Sequence, residues 1–209
     1  MRSEFEDLVR VAPDVSRETF EKMAIYADLL KKWNPKINLV SGPTLDEIWH
    51  RHILDSAQIY RHLPHDTASL VDFGSGGGFP GMVLAILAGR SKPDIKITLV
   101  DSDQRKCAFL RNVARETATS VEVAAARIAD LPAFNASVVT ARALAPLTSL
   151  IGFADHHLAE GGIAFFLKGQ QAENELAEAR VRWFFDVEAL PSVTDSGGSI
   201  LKVENINAR

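Results

Sequence analysis

One stretch, Val71-Asp72-Phe73-Gly74-Ser75-Gly76-Gly77-Gly78-Phe79-Pro80-Gly81, constrains the fold of this chain more than any other. A β-rich run feeds five glycines in eleven residues and then an apolar helical run. Glycine adopts positive φ without steric penalty and lets backbone approach another group with no Cβ between them. Pro80 suits the first helical turn, where an N–H would have no partner within the helix. Such a junction opens a βα unit of a parallel sheet, and the alternation continues. β-rich runs fall at Ser69–Phe73, Ile95–Val100, Val121–Ala125, Ser137–Thr140 and Gly162–Leu167, with helical stretches at Gly81–Ala88, Asp103–Arg115 and Leu147–Leu158. The runs Trp183–Ala189 and Ile200–Ile206 meet through Thr194-Asp195-Ser196-Gly197-Gly198 with no helix between them. They read as an antiparallel pair ending a parallel sheet.

Before residue 66 the pattern is helical. Ser16 is placed to cap a helix reaching about Trp33, with Phe20, Met23, Ala24, Ala27 and Leu30 on one stripe. Asn34-Pro35 is expected to stop it, because the residue before proline disfavours the α region. Thr44-Leu45-Asp46-Glu47 has the form of a capping box and predicts a second helix to about Arg61. On that helix His52 lies near the apolar face with Ile48, which favours a packed, hydrogen-bonded histidine over a catalyst. The expected organisation is an N-terminal helical extension, 1–66, packed on an α/β unit, 67–209. Cys107, the one cysteine, rules out an internal disulfide; among apolar helix positions it reads as a buried thiol. The acidic start is not a signal peptide, and the longest wholly apolar run, Met82 to Ala88, is far short of a membrane span. A soluble cytoplasmic protein with no membrane partner is expected.

The glycine stretch also bears on function. Gly76, Gly78 and Gly81 satisfy G-x-G-x-x-G, a pattern shared by dinucleotide-binding enzymes. Asp101 ends the second β-run 23 residues past Gly78, close to the spacing expected of an acid that binds ribose hydroxyls. The same acid is also placed to cap the helix that follows. Two cofactors fit: a nicotinamide dinucleotide, or S-adenosylmethionine. Asp72 would repel a pyrophosphate but favour a methionine amino group, directly or through water, which tips the reading towards S-adenosylmethionine. No metal site is expected, because His50 and His52 lack metal spacing on a helix and no cysteine cluster accompanies them. The net charge of −4 excludes a strongly basic nucleic-acid binder, so any such contact needs a local patch. Arg105, Arg111 and Arg115, on the solvent side of their helix, are the candidates, unless they form a solvated face balanced by Glu116.

Six fragments in order carry a resemblance: Trp33–Leu39, Arg51-His52-Ile53-Leu54-Asp55-Ser56, Asp72–Gly81, Val100-Asp101-Ser102, Thr140-Ala141-Arg142-Ala143 and Leu167-Lys168-Gly169. Together they resemble the small-ribosomal-subunit RNA methyltransferase G family (RsmG, formerly glucose-inhibited division protein B), over about residues 20 to 206. The resemblance implies a class I, Rossmann-like methyltransferase fold: a mostly parallel seven-stranded sheet whose last strand is antiparallel. It implies transfer of a methyl group from S-adenosylmethionine to N7 of one guanine in the decoding-region hairpin of 16S rRNA. It also implies that Gly74 and Phe79 line the cofactor, beside the Asp72, Gly76 and Gly78 of the glycine-loop reading, that Asp101 takes the ribose, that the Ile128-Ala129 backbone meets the adenine edge, and that Arg142 stands where cofactor and substrate meet. The chain departs from the family where an acidic pair is usual: it has Ile128-Ala129 after Arg127, so a side-chain contact from the first of that pair is lost while backbone contacts remain.

Guanine N7 carries a lone pair and no proton, so its attack on a sulfonium methyl needs alignment and charge placement rather than a general base. Asp55 and Asp72 are the candidate acids near the purine, and Arg142 and Lys168 the candidate holders of an RNA phosphate. A 30S subunit or an assembly intermediate fits an acidic enzyme better than naked rRNA, and a monomer suits such a substrate. A small-molecule methyltransferase and, with less support, an NAD(P)-dependent oxidoreductase share the glycine loop, and fold alone does not choose among them. Nothing in these residues supports the cell-division regulator that the older family name suggests.

Overall fold

Seven strands form one sheet in the computed structural model, which describes residues 2–209: β1 (Ser69–Phe73), β2 (Lys96–Asp101), β3 (Glu122–Ala125), β4 (Ala136–Arg142), β5 (Leu158–Lys168), β6 (Trp183–Pro191) and β7 (Ser199–Ala208). Their order is β3-β2-β1-β4-β5-β7-β6. The first five run parallel, β7 lies antiparallel between β5 and β6, and β6 again runs with the first five. All seven predicted β-runs are strands, and the turn at 194–198 joins the antiparallel pair.

Both faces of the sheet are covered, as parallel strands require. On one face α4 (Gly81–Ser91) and α5 (Gln104–Glu116) bury Met82 and Leu110 with Leu70 and Leu99, and α1 (Arg2–Val11) and α2 (Arg17–Ile37) add Leu8, Met23 and Leu30 to the same core, α2 lying against α4 and α5 rather than on the strands. On the other, α6 (Leu147–His157) and α7 (Ala172–Ala179) bury Leu150, Ile151 and Ala179 against Val71, Val139 and Phe166. Strand alternation therefore decides where polar side chains go. Leu70 and Asp72 face α4, as do Val138 and Thr140, while Val71 and Phe73 face α6. The helices α1 and α7 have no counterpart in the sequence reading, since both are short and mostly polar.

Two helical expectations are corrected. Ser16 does cap α2, accepting from the Thr19 N–H at 3.1 Å, but Asn34-Pro35 does not end it. Pro35 sits in the last turn, and Asn34 closes the end instead. Its Oδ1 accepts from the Leu39 and Val40 amides at 2.8 Å each, while Asn38 turns left-handed at φ 50°. Thr44 does not open a long helix. Its hydroxyl donates to the Ser41 carbonyl and contacts His52 Nε2, so no capping box forms. The chain instead passes through a 3-10 turn (Gly42–Thr44), a π-helical segment (Trp49–Leu54), one α-turn, α3 (Asp55–Ala57), and a second 3-10 turn (Tyr60–His62). Among the described residues, no helix is long and apolar enough to cross a membrane.

Candidate active site

Parallel strands deliver their carboxyl ends to one edge, and a crevice forms there where the winding reverses. Here the reversal lies between β1 and β4. The glycine loop, Asp101, Ile128-Ala129, Arg142 and Lys168 all follow strand ends at that edge or lie just beyond them. A groove of about 590 Å³ is lined there by Gly74, Gly76, Phe79, Asp101, Ile128, Ala129 and Arg142. That volume lies in the range of small-molecule sites. The Asp101 carboxylate is pinned, Oδ2 accepting from the Gly76 N–H and Oδ1 from the Asp103 N–H, each at 2.8 Å. Each oxygen keeps lone-pair capacity for a hydroxyl donor. Asp101 is not the cap of α5; Asp103 is, accepting from the Arg105 N–H. The 3-10 turn Ile128–Asp130 is braced from behind by buried His157, whose Nε2 donates to the Ile128 carbonyl at 3.1 Å. A hydroxyl-binding carboxylate, a loop at φ 56° free of side chain at Gly76, and exposed backbone at Ala129 suit a nucleoside with a polar tail. S-adenosylmethionine has that form.

Not every residue expected at the cofactor faces this groove. Asp72 is fully buried beneath the loop and is not among the groove-lining residues. Its Oδ1 accepts from the Thr140 hydroxyl at 2.7 Å, and its Oδ2 has no hydrogen-bond partner. Burial pushes its pKa up to about 6, against the opposing pull of that hydroxyl. The expectation that Asp72 meets the methionine amino group or the purine is corrected, because its strand parity sends it towards α4. Gly78 also turns inward: at φ 98°, a Cβ there would stand 2.5 Å from Tyr26 Oη and 2.8 Å from Met82 Cβ. Gly81 likewise packs against Asp72. Of the three motif glycines, only Gly76 opens to the groove. Gly74 faces it from beneath the side chain of Leu144, whose Cδ1 lies 2.5 Å from where a Cβ would stand.

Arg142, at the end of β4, stands where three hollows meet: this groove, a cavity of about 720 Å³ towards Lys168 and the β6–β7 turn, and a third of about 350 Å³ towards Thr44 and His52. Its guanidinium is held on several sides. Nη1 donates to the Arg51 carbonyl at 3.0 Å and to Asp55 Oδ2 at 3.2 Å, Nη2 donates to His52 Nδ1 at 2.8 Å, and the group lies 5.0 Å over the Phe79 ring. Asp55 is in turn held, Oδ1 accepting from Thr194 Oγ1 at 2.7 Å and from Gln58 Nε2 at 3.0 Å. His52 is buried, as expected, and stacks on Phe79 at 5.0 Å; burial, then Arg142 and Arg51, push its pKa down to about 3. It is neutral at physiological pH.

Lys168 lines the larger cavity, but its ammonium is engaged. It pairs with Glu175 Oε2 at 2.7 Å and donates to the Ala145 carbonyl at 3.0 Å, and its side chain is 9% exposed. The same Glu175 oxygen accepts from the Leu147 N–H, so Lys168 ties the β4–α6 loop to α7. That corrects the expectation of a free cation for RNA. The arginines of α5 also have partners: Arg105 pairs with Asp103, Arg115 with Glu116, and Arg111 donates to the Val123 carbonyl. The balanced, solvated face is the reading the structure favours. Cys107 is buried, its thiol pushed up by burial and by Asp101. Among the described residues there is no group of three or more His, Cys, Asp or Glu able to hold a metal ion. Sequence reasoning missed Gln58, Thr194 and Glu175. Thr194 reaches Asp55 across 139 residues and Gln58 reaches the Val193 amide across 135, whereas Gln58 is three residues from Asp55 and Glu175 seven from Lys168, and a carboxylate seven residues past a strand-end lysine was a visible signal.

Comparison with known proteins agrees with this geometry. The model of the family described as rRNA small subunit methyltransferase G matches residues 19–201. A ribosomal RNA small subunit methyltransferase G from Ruegeria sp. (strain TM1040) is 52% identical over 193 residues, covering 92% of this chain and 94% of the relative. One from Paramagnetospirillum magneticum is 50% identical over 193 residues, covering 92% of each chain. Among solved structures, the ribosomal protein L11 methylase of Lactobacillus delbrueckii subsp. bulgaricus aligns with a TM-score of 0.57 at 19% identity, over 75% of this chain and 79% of that one. A SAM-dependent O-methyltransferase of Thermotoga maritima aligns with a TM-score of 0.54 at 14% identity, over 72% of this chain and 64% of that one. These likenesses establish the class I methyltransferase fold, and the sequence match establishes more: the chain belongs to the rRNA small subunit methyltransferase G family.

Proposed function

We propose that this chain transfers the methyl group of S-adenosylmethionine to N7 of one guanine in the decoding-region hairpin of 16S rRNA. It acts as a cytoplasmic monomer on a 30S subunit or an assembly intermediate. Family membership makes it an S-adenosylmethionine-dependent methyltransferase of small-subunit rRNA. The finer statement rests on the six ordered fragments and on one structural observation. Arg142 lines both the Asp101 groove and the larger cavity beside it, so one side chain spans two compartments of suitable size.

Bound in the Asp101 groove, S-adenosylmethionine supplies an electrophilic sulfonium methyl. The chain's own residues then do three things. Asp101 accepts from the ribose hydroxyls through charge-assisted hydrogen bonds, and the Ala129 backbone meets the adenine edge. Phe79 and Gly74 exclude water from the floor of the groove. Arg142 and Asp55 organise the side where the purine enters. N7 needs no deprotonation, so no residue has to act as a general base. Positive charge moves onto the purine as the methyl shifts, and a lone guanidinium there would oppose it. The Asp55 carboxylate, 3.2 Å from Nη1, offsets that charge, so the pair offers donors with little net field. The Arg142 N–H groups left over are suited to an RNA phosphate.

The test is Arg142→Ala with 30S particles lacking the modification. Methyl transfer should fall by about 100-fold or more, equivalent to ~3 kcal/mol of lost stabilisation, while affinity for S-adenosylhomocysteine stays within about threefold. Full transfer by the variant would overturn the assignment.

A further inference from the structure

We infer that His52 is a positioning residue for methyl transfer: its Nδ1 holds the Arg142 guanidinium in the orientation that meets the substrate. The inference rests on the reading of Arg142 given above. An arginine has five N–H donors and no acceptor. Three are engaged, with the Arg51 carbonyl, Asp55 Oδ2 and His52 Nδ1. Two remain, the Nε–H and one on Nη2, and these are the donors left for a phosphate.

The chemistry of the pair fixes the state of the imidazole. Arg142 only donates, so Nδ1 must accept and carries no proton. The single ring proton is then on Nε2, which lies 2.8 Å from Thr44 Oγ1. That hydroxyl gives its own proton to the Ser41 carbonyl at 2.9 Å, so it accepts from Nε2. The chain Arg142 to His52 to Thr44 to Ser41 therefore runs in one direction, with each hydrogen assigned. A protonated ring would set N–H against N–H, and burial with two neighbouring arginines opposes that charge.

Local winding makes the arrangement possible. The segment Trp49–Leu54 is π-helical, a winding that often occurs at functional sites. It brings the Arg51 carbonyl and the His52 ring, and, at the start of α3, the Asp55 carboxylate, to one guanidinium. His52 is 8% exposed and stacks on Phe79, which also lies under Arg142. Ring packing alone would be satisfied by phenylalanine; the hydrogen bond would not.

The test uses the full chain with His52→Phe, His52→Asn and His52→Gln. An asparagine amide oxygen sits close to the Nδ1 position, and a glutamine amide reaches towards Nε2. The positioning role predicts that His52→Phe lowers kcat/KM on 30S particles by about 10- to 100-fold, the loss expected for one hydrogen bond to a charged group. S-adenosylhomocysteine affinity should stay within about threefold. His52→Asn should recover most of that loss and His52→Gln should not. If His52→Phe fails to fold, the asparagine–glutamine contrast carries the same test. Independently, the imidazole nitrogen-15 shifts should report a pure Nε2–H tautomer near pH 6 that relaxes to a mixture in Arg142→Ala. Equal activity of Asn and Gln variants, an unimpaired Phe variant, or a tautomer unmoved by Arg142→Ala would each overturn the inference. Arg142→Ala with full activity would overturn the site reading instead.

Discussion

The two sides of the active edge are built from different materials. The cofactor side is backbone: glycine amides, the Gly76 N–H on Asp101, and the Ile128–Asp130 turn. The substrate side is a lattice of side chains, in which Arg142, Asp55, His52, Gln58 and Thr194 hold one another across chain separations of up to 139 residues. Backbone sites tolerate little change in local conformation because φ is set by sterics. Side-chain lattices tolerate the loss of one bond but couple every member to the next. The first is suited to a constant ligand. The second is suited to orienting a large, variable substrate against it.

This contrast can be broken most sharply at Gly78. Gly78→Ala at φ 98°, with Tyr26 Oη and Met82 Cβ in the way, should cost about 3 kcal/mol or more. A melting temperature lowered by roughly 6–12 °C is expected at this size, and an unchanged one would show that the loop is not fixed by its backbone. Next in size is Asp72→Asn. The folded pKa of about 6 stands above the ordinary 3.8, so wild-type stability is lost as pH rises between those values. The stability of the Asp72→Asn variant relative to wild type should therefore improve by about 2–3 kcal/mol from pH 4 to pH 7. A pH-independent difference would contradict the burial, and weaker cofactor binding would restore Asp72 to the site. Asp101→Asn, read by calorimetry with S-adenosylhomocysteine, should weaken binding by about tenfold, or ~1.4 kcal/mol. Smallest is Thr194→Val, which frees the β6–β7 turn from Asp55. A two- to fivefold loss in kcat/KM on particles is expected, about 0.5–1 kcal/mol, with cofactor binding untouched. A loss of cofactor binding would show that the two sides are not separate.

The same contrast explains what was legible. The sheet, its glycine loop and Asp101 were readable because strand period, positive φ and loop spacing leave local marks. Arg142 stood out through the ordered fragments, and Ile128-Ala129 only through the resemblance as a whole, at a place where the chain departs from the family's acidic pair. The direction of Asp72 was not, although the parity of β1 against Leu70 held the signal. Gly78 fitted a ligand motif yet serves the core, since the motif encodes a turn and not what faces it. Lys168 looked free because Glu175 lay in a polar run with no strong helical stripe. Thr44 had the form of a capping box, but its hydroxyl is engaged with Ser41 and His52, and the segment winds as a π-helix. The contacts of that segment are tertiary, His52 meeting Arg142 across 90 residues.

The most direct measurement is transfer of labelled methyl from S-adenosylmethionine to 30S subunits lacking the modification, with naked 16S rRNA alongside and the labelled nucleoside identified. Label is expected in 7-methylguanosine, at a single position, on particles in preference to naked rRNA. Label in another nucleoside, or none while S-adenosylhomocysteine still binds, would contradict it.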